Sequence, residues 1–411
     1  MPSDYDVIVV GGGPAGMMAA GRAAERGRRT LLLERGPDVG RKLLLTGGGR
    51  CNVTNAARGE AFLSAFGAAA GFLRPALAAF DSAALRAWLK ARGVDTVEER
   101  KGRVFPASRD ARNVLDALVH YLLTTGVKIM TGQYVTGLWV DGGRLSGVVT
   151  HDWRWRAGSV IVATGGLSYP GTGCSGSGYD MARQAGHAVV PTYPAVANLV
   201  AREPWPAMLQ GQPIKNVRVR ALAGAEVLAD VLGEAVWTRD GLGDQAALDI
   251  CRPVVLALAR GAAVELELDL RPADTDASLN EKLLHAIKKR GKARIDEVVG
   301  EWVGERAAEV LLQVHGVQPS KKMNQCSEPD RKKIARMVKR LRLKVTGPRP
   351  IEEAIVTGGG VALDEVDPER MESRKLGGLF FAGETLDIAG PCGGYNLQAA
   401  FSTGRLAGEK A

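Results

Sequence analysis

The first dozen residues constrain this chain most. Tyr5-Asp6-Val7-Ile8-Val9-Val10 is an apolar run that ends in Gly11-Gly12-Gly13-Pro14-Ala15-Gly16 and passes directly into the small-residue segment Met17 to Ala24. A Gly-x-Gly-x-x-Gly spacing in that setting predicts a buried parallel strand, a tight turn and a helix whose N-terminus faces a pyrophosphate. Gly11 permits the turn, Gly13 lets backbone approach phosphates, and Gly16 lets helix and strand lie close, with Pro14 and Ala15 opening the helix. Thr30-Leu31-Leu32-Leu33 reads as a second strand, and Glu34 ends it eighteen residues after Gly16. An acidic side chain there can hold ribose hydroxyls, which selects FAD or NAD over a 2′-phosphorylated dinucleotide.

A chain of 411 residues has room for two or three domains. Hydrophobic content of 45% with 24% charged residues fits a soluble globular protein. No stretch approaches about twenty uncharged apolar residues, which predicts no membrane span. Asp4 and Asp6 at the start of the first apolar run argue against a signal peptide. Cys51, Cys174, Cys251, Cys326 and Cys392 are scattered without a Cys-x-x-Cys, so neither a disulfide scaffold nor a zinc site is expected, and a cytoplasmic setting fits. The five histidines lack metal-ligand spacing, and no metal is expected. The net charge of +9 is concentrated: residues 281–344 hold 17 Lys or Arg against 8 Asp or Glu. Its densest runs are 288–294 and 331–344. Such a segment suits a polyanion such as RNA, and equally suits a solvated helix face; both readings stand.

Further along, Gly40-Arg41-Lys42 through Gly47-Gly48-Gly49-Arg50-Cys51-Asn52 to Asn55 combines glycines, cations and amides. This mixture makes poor regular structure but supplies donors and cations for a phosphorylated ligand. Residues 60–125 read as helices around a short hairpin from Glu98 to Pro106, and 128–150 as a small sheet. Ser159 to Gly166 is another buried strand, ending in Ala163-Thr164-Gly165-Gly166. From about Pro194 to Leu270 the pattern becomes short strands, and 275–345 reads as helical and basic. Leu379 to Asp387 is a strand followed by acidic and hydroxyl groups, and Gly390 to Gly394 is a Gly-rich loop entering a last helix.

Four of these stretches, GGGPAG, GRKLLLTGGGRCNVTN, ATGGLSYPGTGCSGSGYDMA and FFAGETLDIAGPCGGYNLQAAFSTGRLAG, together resemble one family. It is the bacterial FAD-dependent oxidoreductase family that includes aminoacetone oxidases, bile-acid-inducible flavoproteins and ribosomal-RNA dihydrouridine synthase. The resemblance is strong over 1–195 and 345–411 and weak between. It implies an α/β fold: a Rossmann-like, glutathione-reductase-type FAD domain (1–195 and 345–411), an inserted antiparallel β subdomain (196–274) and a basic helical subdomain (275–344). It further implies that Gly11, Gly13 and Gly16 meet the FAD pyrophosphate, with Glu34 on the adenosine ribose and Arg35 nearby. Lys42, Gly49, Arg50 and Asn52 would lie near the phosphates or flavin, and Val135 would reach adenine through its backbone. Thr164 and Gly165 would line the cofactor, Gly383 and Asp387 the ribityl and phosphate region, and Gly394, Asn396 and Leu397 the pyrimidine edge of the flavin.

The implied chemistry is hydride transfer from a transiently bound NADH or NADPH to the flavin and then to an acceptor. Thr357-Gly358-Gly359-Gly360 opens with Thr and lacks the third spaced Gly, so it is not read as a second dinucleotide fingerprint. Uridine in 23S ribosomal RNA leads as acceptor, receiving hydride at C6 and a proton at C5 from Cys51 or Cys392, unless those thiols are packing residues. A small-molecule oxidase or reductase and a non-catalytic FAD-containing RNA-binding protein are the alternatives. One departure stands out: many relatives carry Thr-His-x-Gly-Ile-Ser-Gly-Pro where this chain reads Val236-Trp237-Thr238-Arg239-Asp240-Gly241-Leu242-Gly243.

Overall fold

The computed structural model describes residues 4–411, which divide into two units: one runs to Ala195 and resumes at Ile351–Ala411, the other is Val196–Pro350. In chain order the first unit comprises β1 (Tyr5–Val10), α1 (Pro14–Glu25), β2 (Thr30–Leu33), α2 (Arg41–Leu45), β3 (Thr54–Asn55) and α3 (Gly59–Leu63). There follow α4 (Ala70–Ala79), α5 (Ser82–Lys90), β4 (Thr96–Glu98), β5 (Arg103–Pro106), α6 (Ala111–Thr124) and β6 (Lys128–Met130). Next come β7 (Val135–Asp141), β8 (Arg144–Thr150), β9 (Arg154–Val162), α7 (Ser177–Gln184) and β10 (Val189–Val196). The second unit holds β11 (Leu199–Ala201), β12 (Pro213–Ala223), β13 (Glu226–Trp237), β14 (Gly241–Gly243), α8 (Asp244–Ala259) and β15 (Val264–Asp269). It continues with α9 (Asp276–Lys289), α10 (Ile295–Val303), α11 (Glu305–Val314), α12 (Glu328–Lys339) and β16 (Leu341–Pro348). The first unit then ends with β17 (Val356–Val361), β18 (Leu379–Phe381) and α13 (Tyr395–Lys410).

The main sheet of the first unit runs β6-β2-β1-β9-β8-β7, with β18 added on β9. β6, β2, β1, β9 and β18 are mutually parallel, and the β7–β8 hairpin joins antiparallel. A parallel strand covered on both faces needs apolar side chains at successive positions. Val7 to Val10, all of β2, Val160 to Val162 and all of β18 are buried, as that rule demands. Helix α1 lies along α13 at a distance that only glycine allows. A Cβ at Gly404 would sit 2.2 Å from the Ala15 carbonyl, and one at Gly408 2.2 Å from that of Ala19.

The helical run Gly59–Lys90 is apolar enough, by length and composition alone, to cross a membrane. It is not one rod. Gly67 turns to φ 58° and Phe80–Asp81 interrupt it, and Phe62, Phe66, Leu73, Leu85 and Leu89 are buried in the first unit's core.

In the second unit β11-β14-β13-β12-β15-β16 close into a barrel. Two sequence expectations fail here. The stretch 194–270 contains a sixteen-residue helix, α8, which packs on β13; Pro253 inside it and its run of Val and Leu obscure the helical period. Residues 341–348 are a strand rather than the end of a helical segment. Leu341, Leu343 and Val345 face inward while Arg342, Lys344 and Thr346 are exposed, a period of two inside what reads as a cationic tail. Likewise Arg41–Leu45, expected to be irregular, forms the short helix α2.

Candidate functional site

The first turn is built from three glycines with different jobs. Gly11 has φ +106°, and a Cβ there would meet the Ala163 carbonyl at 2.5 Å. At Gly16 a Cβ would lie 1.9 Å from the Gly11 carbonyl, so this position closes the turn on itself. Gly13 is the opposite case: nothing stands within 4 Å of where its Cβ would be. It is the N-cap of α1, no side chain caps that helix, and Pro14 brings no N–H. The first-turn N–H groups of Ala15 and Gly16 therefore remain for an anion placed in that open space.

Glu34 leaves β2 and turns its carboxylate back over this loop. Oε2 accepts from the Gly12 N–H at 2.6 Å and Oε1 from the Gly36 N–H at 2.6 Å. Beside it the Arg35 guanidinium lies 4.9 Å over the Tyr134 ring, and Val135, buried, begins β7. Glu34, Arg35 and Val135 are thus brought together, with Tyr134 added; its exposed ring among polar neighbours is the signal that sequence reading passed over.

A second cluster joins residues far apart in the chain. The Lys42 ammonium donates to Ser168 Oγ and to Glu384 Oε2, both at 2.7 Å. Ser168 Oγ donates to Glu384 Oε1 at 3.1 Å, which also accepts from the Thr357 N–H at 2.6 Å. Thr357 Oγ1 in turn accepts from the Leu167 and Ser168 N–H groups at 2.9 and 3.1 Å. Burial works against the charge on Lys42, but the Glu384 carboxylate outweighs it and holds the ammonium above the ordinary lysine range. Glu384, Ser168 and Thr357 were not anticipated as site residues. The acid and hydroxyls after β18 were the visible hint, but their partners come from other segments.

The turn Ala163–Gly166 shows the need for a polar guest. Thr164 Oγ1 and Tyr179 Oη are buried with no hydrogen-bond partner among the described residues. A buried hydroxyl without a partner is costly, so a ligand carrying polar atoms fits here. Gly165 has φ 76°, and its carbonyl accepts from Thr385 Oγ1 at 3.4 Å. Gly383, with φ 70°, is near α1: a Cβ on it would meet that of Ala15 at 2.8 Å. The Asp387 carboxylate accepts from the Gly359 N–H at 3.0 Å.

Around the start of α13, Gly393 and Gly394 have φ 121° and 95°, and no side chain caps the helix. A Cβ at Gly394 would strike the Thr54 carbonyl at 2.2 Å and Asn52 Oδ1 at 2.9 Å. Asn52 accepts from the Val104 N–H at 3.2 Å, and Asn55 donates to the Gly393 carbonyl at 3.0 Å. Asn396 is occupied in holding its own loop: it accepts from the Gly390 N–H at 2.8 Å and donates to the carbonyls of Gly390 and Pro391 at 3.0 Å each. Leu397 is half-buried beside it. Gly49 has φ 85° with open space at its Cβ position. Arg50 is engaged by protein groups, 3.4 Å from Glu99 and 4.4 Å over the Phe105 ring.

The two candidate proton donors differ. Cys51 is completely buried, and burial pushes its thiol up to about 12, with Thr46 offsetting little of that. Such a group holds its proton, which argues for packing at Cys51. Cys392 is half-buried in the loop before α13. A cavity of about 920 Å³ opens between α2, α6 and the loop Tyr169–Thr172, lined among others by Val39, Arg41, Leu44, Arg112 and Leu115. Among the described residues no three His, Cys, Asp or Glu side chains are grouped to hold a metal.

Comparison with known proteins gives the family and the fold. A family model described as "HI0933-like protein Rossmann domain" matches residues 5–410. The 3-dehydro-bile acid delta(4,6)-reductase of Clostridium scindens is 31% identical over 98% of this chain and 98% of its own length. The ribosomal RNA dihydrouridine synthase of Escherichia coli is 30% identical over 97% of this chain and 96% of its own. Among solved structures, the open conformation of a flavocytochrome c3 fumarate reductase superposes with a TM-score of 0.51 at 16% identity, covering 99% of this chain and 78% of that one. A 3-ketosteroid-delta4-(5alpha)-dehydrogenase of Rhodococcus jostii gives 0.50 at 17% identity, covering 100% and 97%. At such identities the likeness to the solved structures is one of fold.

Proposed function

We propose, for a chain that belongs to the HI0933-like Rossmann-domain family and is an FAD-dependent oxidoreductase, that its reaction is reduction of an activated carbon–carbon double bond, with uridine in 23S ribosomal RNA as substrate. The chemistry that FAD supplies when bound is hydride transfer, taken from NADH or NADPH and delivered to C6 of the pyrimidine. The protein's part is position and charge. The Ala15 and Gly16 N–H groups hold the pyrophosphate, and Glu34 exchanges its bonds to Gly12 and Gly36 for ribose hydroxyls. Thr164 and Tyr179 give their unpartnered hydroxyls to the cofactor, Gly165, Gly383 and Asp387 border it, and the uncapped N-terminus of α13 favours negative charge at the pyrimidine edge. Cys392 gives the proton to C5, and the reaction runs in the reducing cytoplasm.

The observation that carries the RNA reading is the match to a ribosomal RNA dihydrouridine synthase that spans both units, including the cationic second one. Nucleoside analysis of ribosomal RNA from cells with and without the gene tests it. Loss of one dihydrouridine, restored by the wild-type protein, is expected; an unchanged profile overturns it. A second reading rests on the equally long match to the bile-acid reductase: a small-molecule acceptor, steroid-like or amine, would then restore flavin oxidation in vitro while RNA would not. Tight RNA binding without any flavin turnover would instead mark a non-catalytic FAD-containing RNA-binding protein.

A further inference from the structure

The second unit has two cationic runs, and the structure separates them. In the run 331–344, Lys332 pairs with Glu328 at 2.7 Å, Lys339 with Asp269 at 2.6 Å and Arg340 with Asp276 at 2.7 Å. Arg342 bridges Glu265 and Glu267 at 3.0 and 2.9 Å, and Lys333 donates to the Gly316 carbonyl at 3.1 Å. Four of this run's eight cations are thus ion-paired inside the unit, while Arg331 donates to Asn280 and Arg336 and Lys344 are exposed with no side-chain ion pair or hydrogen bond among the described residues. In the run 288–294, Arg290 is held by Glu301 at 2.6 Å and Arg294 by Asp296. Lys288, Lys289 and Lys292 are exposed and make no side-chain ion pair or hydrogen bond among the described residues.

A fourth unpaired lysine joins them through the backbone. The N–H groups of Asn324 and Met323 donate to the carbonyls of Gly291 and Ala293 at 3.0 and 2.9 Å, and Lys322 bridges to Arg294. Lys322 is exposed and its ammonium is likewise unpaired among the described residues. Four ammonium groups therefore border one hydrogen-bonded junction at the C-terminus of α9. Unpaired cations on a fixed backbone are what phosphate neutralisation needs, because a cation already paired must break that pair first.

We infer that Lys288, Lys289, Lys292 and Lys322 form the surface on which the second unit takes the phosphate backbone of RNA, and that the ion-paired cations of the run 331–344 do not contribute. This rests on the RNA reading above. The test is fluorescence binding of the FAD-loaded protein to protein-free ribosomal RNA across about 50–200 mM salt. The variants are K288A/K289A/K292A/K322A and, as control, K332A/R340A. For the quadruple variant the slope of log affinity against log salt falls by about 3, with affinity down on the order of tenfold or more, while the control keeps the wild-type slope. FAD content and flavin turnover with a dye acceptor stay at wild-type level in both, which excludes misfolding. An unchanged slope in the quadruple variant, with wild-type RNA binding intact, overturns the surface and leaves the RNA reading standing. A wild-type protein that ignores RNA but binds anionic phosphatidylserine vesicles overturns both.

Discussion

The two glycine runs Gly11–Gly16 and Gly358–Gly360 have similar composition and opposite roles. In the first, Gly13 faces open space and the helix behind it is uncapped, so its N–H groups await an anion from outside. In the second, every glycine is closed by protein. A Cβ at Gly358 would meet the Tyr193 ring at 2.3 Å, one at Gly359 the Pro191 carbonyl at 2.3 Å, and one at Gly360 the Thr385 carbonyl at 2.7 Å. This run also offers N–H groups to anions, but the anions are the chain's own: Thr357 serves Glu384 and Gly359 serves Asp387. A glycine run is a ligand site where its surroundings leave room and unpaired donors, and a packing device where they do not.

The largest predicted effect strikes the internal anion. Glu384→Gln leaves the part-buried Lys42 ammonium without its carboxylate and should cost about 2–3 kcal/mol of stability in chemical denaturation. K42M/E384Q should recover much of that, and a double variant no better than the single one would show that the pair is not the cause. Next comes Gly358→Ala, which drives a methyl group into Tyr193 and should cost about 1–3 kcal/mol while FAD stoichiometry stays at one per chain. Loss of FAD without loss of stability in this variant would erase the distinction between the two runs. Gly13→Ala should do the reverse: stability of the FAD-free chain changes by less than about 0.5 kcal/mol, and FAD affinity falls about tenfold, or 1.4 kcal/mol, by fluorescence titration. The smallest effect is chemical. Because burial raises Cys51 to about 12, its thiol stays protonated at alkaline pH; iodoacetamide at about pH 8.5 should label Cys392 and spare Cys51 in the native protein. Rapid labelling of Cys51 would mean that its segment opens.

Legibility followed the range of the interactions. β1, the turn, α1, β2 and Glu34 were readable because strand, turn and helix there are neighbours in sequence, and each constraint acts within some thirty positions. The resemblance sets Asn396 at the flavin edge, but that its amide also fastens its own loop depends on where Gly390 and Pro391 end up. Cys51 was a candidate proton donor on sequence position alone; only its complete burial shows how firmly it keeps its proton.

The amino-acid sequence by itself determined the dinucleotide turn, the acidic residue that follows it and the family, because glycine geometry and apolar periodicity are local. Tertiary structure alone decided that Lys42 meets Glu384 across 342 positions, that 341–348 closes a barrel, and which lysines of the basic segment remain unpaired. Charge can be counted along a chain. Whether a charge is already neutralised depends on which distant carboxylate the fold sets within about 3 Å of it, and no local pattern carries that distance.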